Sequence, residues 1–329
     1  LEFRRVLFRS WGTYYGGNMV EYGNGIALGS LGNIFIAGNT SSATNVASNG
    51  YDNTLSGTSD AFLLKINDRA TSDISIYNQF NSNYAAVLLD STNTANTSPS
   101  PVRVSADGST ATFVNYYNKD ANILINNIIF RIKEDPTGIN KEIYGYFNAA
   151  INVSTAPQIR RCYYNHPTYL NNGNLFRNIT IQILDSTTNT ILEEYPVQAY
   201  KAPLLLVHGL YGNAESFKNF EKDFLFASGA NIYPGTTQTS PFVLRTEYNY
   251  ADGLVKNNSI IKLSIDRLLK QMVDAKYSTG KVDIIAHSMG GLLSRAYIQD
   301  PYNIQAYRND VHKLITLNAM HAGSQFADC

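Results

Sequence analysis

Ser288 stands in a setting suited to a nucleophile. It follows a short apolar run, Val282-Asp-Ile-Ile-Ala286, and precedes Met289-Gly-Gly-Leu292, where an amphipathic run begins. A chain that leaves a strand, turns sharply and enters a helix presents the turn side chain at the helix N-terminus. Such a turn brings strand and helix close together, so the positions two before and two after the serine must be small. Ala286 and Gly290 meet that need. The chemistry implied is attack of a serine hydroxyl on a carbonyl, with backbone N–H groups of the helix start facing the developing negative charge.

The surrounding segment supplies elements to hold such a serine. Pro203-Leu-Leu-Leu-Val-His-Gly-Leu210 is a continuous apolar run of the kind buried on both faces of a parallel sheet. Asn213 can cap a helix over 214–226, with Glu215 in its first turn. A second strand is expected over 242–248. Ile261, Ile265, Leu268, Leu269 and Met272 fall on one face of a helix over 259–276, which Gly280 punctuates. A third strand, 282–285, leads into Ser288. The next helical face begins with Leu292, Ala296 and Tyr297, and 314–317 is a fourth strand. Strands alternating with amphipathic helices give a parallel α/β sheet.

Three motifs in order, Val207-His-Gly-Leu210, Ala286-His-Ser-Met-Gly290 and Leu314-Ile-Thr-Leu-Asn-Ala-Met-His-Ala-Gly-Ser324, resemble the N-terminal half of bacterial lipases of the α/β-hydrolase superfamily. Ala286 replaces the usual first Gly of the serine motif, and Ala319-Met320 stand where those lipases have Thr-Pro. The resemblance implies that the strands ending at His208 and Ser288 are neighbours at a switch in strand order, where active sites form. It assigns Ser288 as the catalytic nucleophile and the backbone N–H groups of Leu210 and Met289 as the oxyanion hole. His208, Gly209, His287 and Gly290 are motif support, with Gly209 letting the loop approach closely. No cofactor and no metal are implied.

None of the histidines suits the role of general base. His287 projects away from its neighbour Ser288, and His208 holds the oxyanion loop. His312 begins a strand at the far end of the sheet, His321 orders the loop after it, and His166 belongs to another domain. In this superfamily the order is Ser, then Asp or Glu, then His. The acid and base are therefore expected beyond Cys329, the chain reads as a fragment open at both ends, and negligible turnover is expected of it as it stands.

The rest of the chain reads as all-β. Residues 1–10 are basic and apolar and resemble a non-native end, the alternative being a genuine strand remnant. Over 11–68 four short strands are expected, at 11–17, 25–28, 32–38 and 60–66. Trp11-Gly-Thr-Tyr-Tyr-Gly-Gly17, Gly25-Ile-Ala27, Gly32-Asn33 and Asp60-Ala-Phe62 closely resemble the bacterial SBBP β-propeller repeat. One such blade cannot bury both faces, and a propeller needs about four to eight; a free-standing β-meander is the alternative. Tyr14, Tyr15 and Tyr22 read as packing residues. Residues 69–100 read as a linker, with Thr92 to Ser100 polar and turn-rich. Over 101–200 six or seven strands suggest an Ig-like β-sandwich, starting with a hairpin of 101–104 and 110–117 about Ala106-Asp-Gly108, and including strands at 123–132 and 142–147. Its simplest role is a spacer or an accessory wall. Cys162 and His166 lack the neighbours a metal site would need.

Composition bounds the partners. Lys+Arg and Asp+Glu are both 26, which argues against nucleic acid and against a polybasic membrane role. No apolar run is long enough to cross a membrane. The fold class expected is thus multidomain: an all-β N-terminal part, propeller blade plus β-sandwich, followed over 201–329 by a truncated α/β-hydrolase. The function expected is a secreted or cell-surface carboxylic-ester hydrolase acting on lipid or other esters. Amide or thioester hydrolysis by the same machinery remains a variant. The alternative is a cell-surface binding or adhesion protein carrying a degenerate hydrolase module. Oligomeric state, and pairing of Cys162 with Cys329, stay open.

Overall fold

The computed structural model describes residues 15–28, 33–44, 54–67, 74–79, 86–90, 101–118, 120, 122–155, 158–170, 174–227, 232–237, 239–301 and 306–323. The expectations for 1–14, for the 92–100 loop and for Ser324 to Cys329 lie outside these residues. The chain divides into two compact units, Leu1–Ala70 and Thr71–Cys329.

The first unit is an antiparallel meander of β1 (Glu21–Leu28), β2 (Asn33–Thr40) and β3 (Asp60–Asn67). The described part of the expected first strand, Tyr15 to Gly17, is not a strand. Register pairs Ile36 with Ile26 and Leu64, and Ala37 with Gly25 and Leu63. Ile26 and Leu63 therefore point to opposite faces, and they are 73% and 72% exposed. Among the described residues, each face of this small sheet thus carries an exposed large apolar side chain. Gly38 leaves room for the Phe62 ring, which a Cβ there would meet at 2.7 Å.

The second unit opens with strands inside the stretch expected to be a linker: β4 (Ile74–Asn78) and β5 (Val87–Asp90). The alternation Ile74, Ile76, Asn78 puts side chains of β4 in the interior, and β4 pairs with β7 (Thr112–Asn118). The linker reading of 69–100 is corrected accordingly. After β6 (Val102–Ala106) and β7 come β8 (Ile128–Ile132), the short helix α1 (Lys141–Tyr144), and β9 (Tyr146–Phe147). They are followed by β10 (Ile151–Thr155), β11 (Gln158–Asn165), β12 (Phe176–Asp185) and β13 (Thr190–Lys201). One sheet runs β10-β11-β7-β4-β5, with β9 on β11; a second contains β6-β13-β12-β8. Both contribute to one core: Ile74, Ile76, Val114 and Tyr164 from the first, Val104, Ile128, Ile181, Val197 and others from the second.

Three local expectations are changed here. β6 and β7 are not a hairpin, because β6 runs parallel to β13 while β7 belongs to the other sheet. The Asp107–Gly108 turn carries the chain from one sheet to the other. The strand expected over 142–147 is helix α1 in its first half and ends in the short strand β9, and that over 123–132 has a 3-10 turn at Ile125–Asn127 before β8.

The final sheet is parallel, in the order β15-β14-β17-β18: β14 (Leu204–Val207), β15 (Val243–Thr246), β17 (Val282–His287) and β18 (Val311–Leu317). In β14, Leu205 and Val207 enter one apolar core while Leu204 and Leu206 enter another on the opposite face. That two-sided burial is why this strand is apolar at every position. Between β14 and β15 lies a broken helical stretch, a 3-10 turn at Ala214–Phe217, α2 (Lys218–Phe220) and a π turn at Glu221–Leu225. Asn213 caps it, accepting from the Glu215 N–H at 2.9 Å.

Helix α3 (Gly253–Asp274) presents Ile261, Ile265, Leu268, Leu269 and Met272 inward, each 0% exposed. Helix α4 (Met289–Gln299) follows β17 directly. Between α3 and β17 lies a two-residue strand, β16 (Tyr277–Ser278), which joins the antiparallel β-region by pairing with β6. The boundary expected at 200/201 therefore does not separate two compact units: only Ala202 and Pro203 lie between β13 and β14, and β16 completes the other sheet. Among the described residues no helix is long and apolar enough to cross a membrane.

Candidate active site

Strand order brings the two leading motifs together. The chain passes from β14 outward to β15, then returns across β14 to β17 on its other side. β14 and β17 are thus adjacent at a switch in order, with Val207 opposite Ala286. Their C-terminal ends, His208–Gly209 and His287–Ser288, lie side by side.

Ser288 has φ +49° and ψ −120°. A β-carbon makes this conformation costly, of order 1–3 kcal/mol, so the surroundings must impose it. Three features do so. The Ser288 N–H donates to the Leu317 carbonyl at the end of β18 (2.8 Å), and the Ser288 carbonyl accepts from Gly291 N–H (3.0 Å). Gly290 packs against the carbonyls of Val207 and His208, where a Cβ would overlap backbone oxygen. Gly291 faces Thr316 and Ala319 with no room for a side chain: a Cβ there would lie 2.6 Å from the Ala319 Cβ. Ser288 is half-buried, and its neighbour His287 is exposed.

The loop after β14 is built against this turn. A Cβ on Gly209 would lie 2.8 Å from Ser288 Cβ and 2.9 Å from His287 Nδ1. The Gly209 carbonyl accepts from Gly212 N–H (3.1 Å) and faces His208 Nδ1 (2.9 Å). A carbonyl only accepts, so His208 carries its proton on Nδ1. In a trans peptide the N–H points opposite to the C=O, so the Leu210 N–H is aimed away from His208 and Gly212. Tyr248, at the end of β15, stacks on the His208 ring at 4.1 Å and 9°, and its hydroxyl donates to the His208 carbonyl (2.7 Å). Burial raises the Tyr248 hydroxyl above its ordinary range, so it stays a donor. His208 Nε2 is buried with no partner among the described residues.

Met289 is the first residue of α4, where an N–H has no intrahelical acceptor. Its side chain packs on the α3–α4 core, while Leu210 is 51% exposed. Tyr211, with φ +60°, is 82% exposed at the loop tip and touches Tyr250, ring centroids 5.2 Å apart.

Among the described residues no histidine hydrogen-bonds to Ser288. His321 Nε2 pairs with Thr316 Oγ1 (3.1 Å) in the loop after β18. His312 pairs with Asp283 (2.8 Å), at the opposite end of the sheet from Ser288. His166 is buried in the β-region, beside Asp107. Cys162 points elsewhere, its thiol on the Asn148 carbonyl (2.9 Å). A cavity of about 570 Å³ opens beside Ser109, Gly280, Lys281 and Arg308, also at the far end; Ser288 is not in its lining.

Tyr248, Gly212 and Leu317 were not marked by the sequence. Each acts through backbone or ring geometry, which leaves no spacing pattern to read.

A parallel sheet with switched strand order, and a strained serine between its central strand and a helix, define a domain of the α/β-hydrolase type. Residues 198–328 match the family model described as the PGAP1-like alpha/beta domain, itself an α/β-hydrolase-type family. No curated protein matches the chain.

Proposed function

We propose that this protein is a serine hydrolase that cleaves carboxylic esters through an acyl-enzyme on Ser288. The observation that carries the reading is the backbone of Ser288, held at positive φ on a strand-to-helix turn with Gly209 against it. Ser288 Oγ attacks the ester carbonyl, and the carbonyl oxygen becomes negative. The N–H groups of Met289 and Leu210 donate to that oxygen. Collapse of the tetrahedral adduct expels the alcohol and leaves the acyl group on Ser288; water then releases the acid. The exposed Leu210 and Tyr211 beside this turn favour substrates with an apolar, lipid-like acyl part. In this reading the Ser288 proton passes to a general base, which returns it to the leaving alcohol.

In the same reading, residues 11–68 serve as one SBBP-type propeller blade, and the β-region from β4 to β13 as an Ig-like sandwich. Both accord with a secreted or cell-surface protein. The test is labelling of the natural full-length protein with a fluorophosphonate probe, alongside hydrolysis of p-nitrophenyl esters of increasing acyl length. We expect label on Ser288, and a loss of hydrolysis of roughly 10⁴-fold or more in Ser288→Ala. Hydrolysis unchanged in Ser288→Ala, or neither label nor hydrolysis in the full-length protein, would overturn the reading; the latter outcome would leave a binding or adhesion role.

A further inference from the structure

The turn that feeds the nucleophile strand is held from outside its own sheet. Asp107 lies in the crossing between β6 and β7, and its side chain is 0% exposed. Its Oδ2 accepts the N–H groups of Gly280 (2.8 Å) and Lys281 (3.0 Å) and the Thr279 hydroxyl (3.1 Å). Its Oδ1 accepts Ser109 N–H (3.0 Å) and faces His166 Nδ1 (2.9 Å). Residues 279–281 connect β16 to β17, which ends at His287 and leads straight into Ser288. Two further groups of the β-region hold the same connection. Asn78 Oδ1, on β4, accepts from Thr279 N–H (3.1 Å) and Ser278 Oγ (2.7 Å). Arg103, on β6, lies over the Tyr277 ring at 4.2 Å and donates to the Ala275 carbonyl (3.0 Å).

The direction of the protons along the Asn78–Ser278–Thr112 chain follows from the Thr279 N–H. Thr279 N–H can only donate, so the Asn78 atom it meets is the amide oxygen. Ser278 gives its single hydroxyl proton to that oxygen and must itself accept from Thr112 Oγ1 (2.7 Å). Thr112, its proton so placed, accepts from His166 Nε2 (2.6 Å). His166 Nδ1 faces a carboxylate. Nδ1 also meets Ser109 Oγ (3.3 Å), so His166 and Asp107 form a buried hydrogen-bonded pair that ties Ser109 and Thr112 into the same joint. Burial by itself would raise the Asp107 carboxyl. The charge and hydrogen bond of His166, with the N–H groups of Gly280 and Ser109, outweigh it and hold Asp107 well below the usual carboxylate range. Such a pair is costly to break from one side, because the remaining charge is left buried.

The same β-region also fixes the other half of the site. β13 runs into β14 through Ala202 and Pro203 alone, β6 pairs with β13, and β16 pairs with β6. The starts of β14 and β17 are thus both tied to one mixed sheet, and their far ends carry Gly209 and Ser288.

We propose that Asp107 is a positioning residue for the nucleophile strand: a β-region carboxylate that clamps residues 279–281 and so sets where Ser288 stands against the Gly209 loop. The antiparallel β-region is then an integral part of the hydrolase and not a spacer. The inference does not depend on the chemistry proposed for Ser288.

The test is amide hydrogen exchange read by mass spectrometry on the whole chain, comparing wild type, Asp107→Asn and Asp107→Ala. Asp185→Ala is the control: that carboxylate lies in the same β-region but bonds only within its own turn, to Thr187 and Thr188. Asp107→Ala is expected to raise exchange roughly tenfold or more in peptides covering 278–288 and 208–212, with Asp107→Asn in between. Asp185→Ala is expected to act only around 185–190. If Asp107→Ala does not fold, Asp107→Asn and Thr279→Val carry the comparison. A rise confined to 105–112 and 166, or one spread evenly over all three sheets of the second unit, would overturn the proposal.

Discussion

Gly209 packs against the side chain of Ser288: a β-carbon on Gly209 would sit 2.8 Å from that of Ser288, well inside the distance two carbons tolerate. The loop after β14 and the Ser288 turn are therefore one packed object. Gly209→Ala must separate them, and with them the N–H groups of Leu210 and Met289 proposed to meet on one oxygen. In the full-length protein we expect a fall in kcat of roughly 10²–10³, the scale of one lost oxyanion donor, with KM changed little. Steady-state kinetics on a soluble ester checks it.

Tyr248 supports that loop in two separable ways, by stacking on His208 and by donating to its carbonyl. Tyr248→Phe keeps the ring and leaves a buried carbonyl without its donor, costing about 1–3 kcal/mol in stability. Tyr248→Ala also removes the ring and exposes His208. The activity loss should therefore be larger in Ala than in Phe, beyond what their difference in urea midpoint explains.

Acid should loosen the joint at Asp107. Its folded pKa lies below the unfolded value of about 3.9. Such a group binds fewer protons when folded, so its contribution is fully present above that value and is lost as pH falls below it. Denaturation between about pH 5 and pH 2, followed by circular dichroism, should show a smaller pH dependence in Asp107→Asn than in wild type. The variant should also be less stable at neutral pH.

The inner face of α3 offers a packing control. Ile265 is 0% exposed and Leu263, two residues earlier, is 57% exposed. Ile265→Ala should cost about 2–5 kcal/mol through lost burial and a residual cavity. Leu263→Ala should stay within about 0.5 kcal/mol. Urea unfolding of the two variants measures the contrast.

What could be read beforehand was whatever is local. The four apolar residues of β14, the inward stripe on α3 and the small residues around Ser288 are set by neighbours a few positions away, so their periodicity is visible in the chain. The pairing of β6 with β13 is not local. Ala106-Asp-Gly108 carries a sound turn signal, yet the turn connects two sheets instead of two strands of one hairpin. β4 was hidden because the polar run after it dominates the stretch around it. β16, with two residues, is too short to show a period. Asp107 was read only as part of a turn, since nothing in its neighbourhood announces that its partners are at 166 and 279–281.

The place of β16 has a consequence during synthesis. It is an edge strand of a sheet whose other members all precede residue 202, and it lies parallel to β6, far ahead of it in the chain. As the protein leaves the ribosome, β6 must wait with that edge unpaired until α3 and residue 278 have emerged. Long-range parallel pairings are slow to form, and unpaired edges invite other chains. A ribosome that stalls between β14 and β16 would thus hold a sheet with its β6 edge still open.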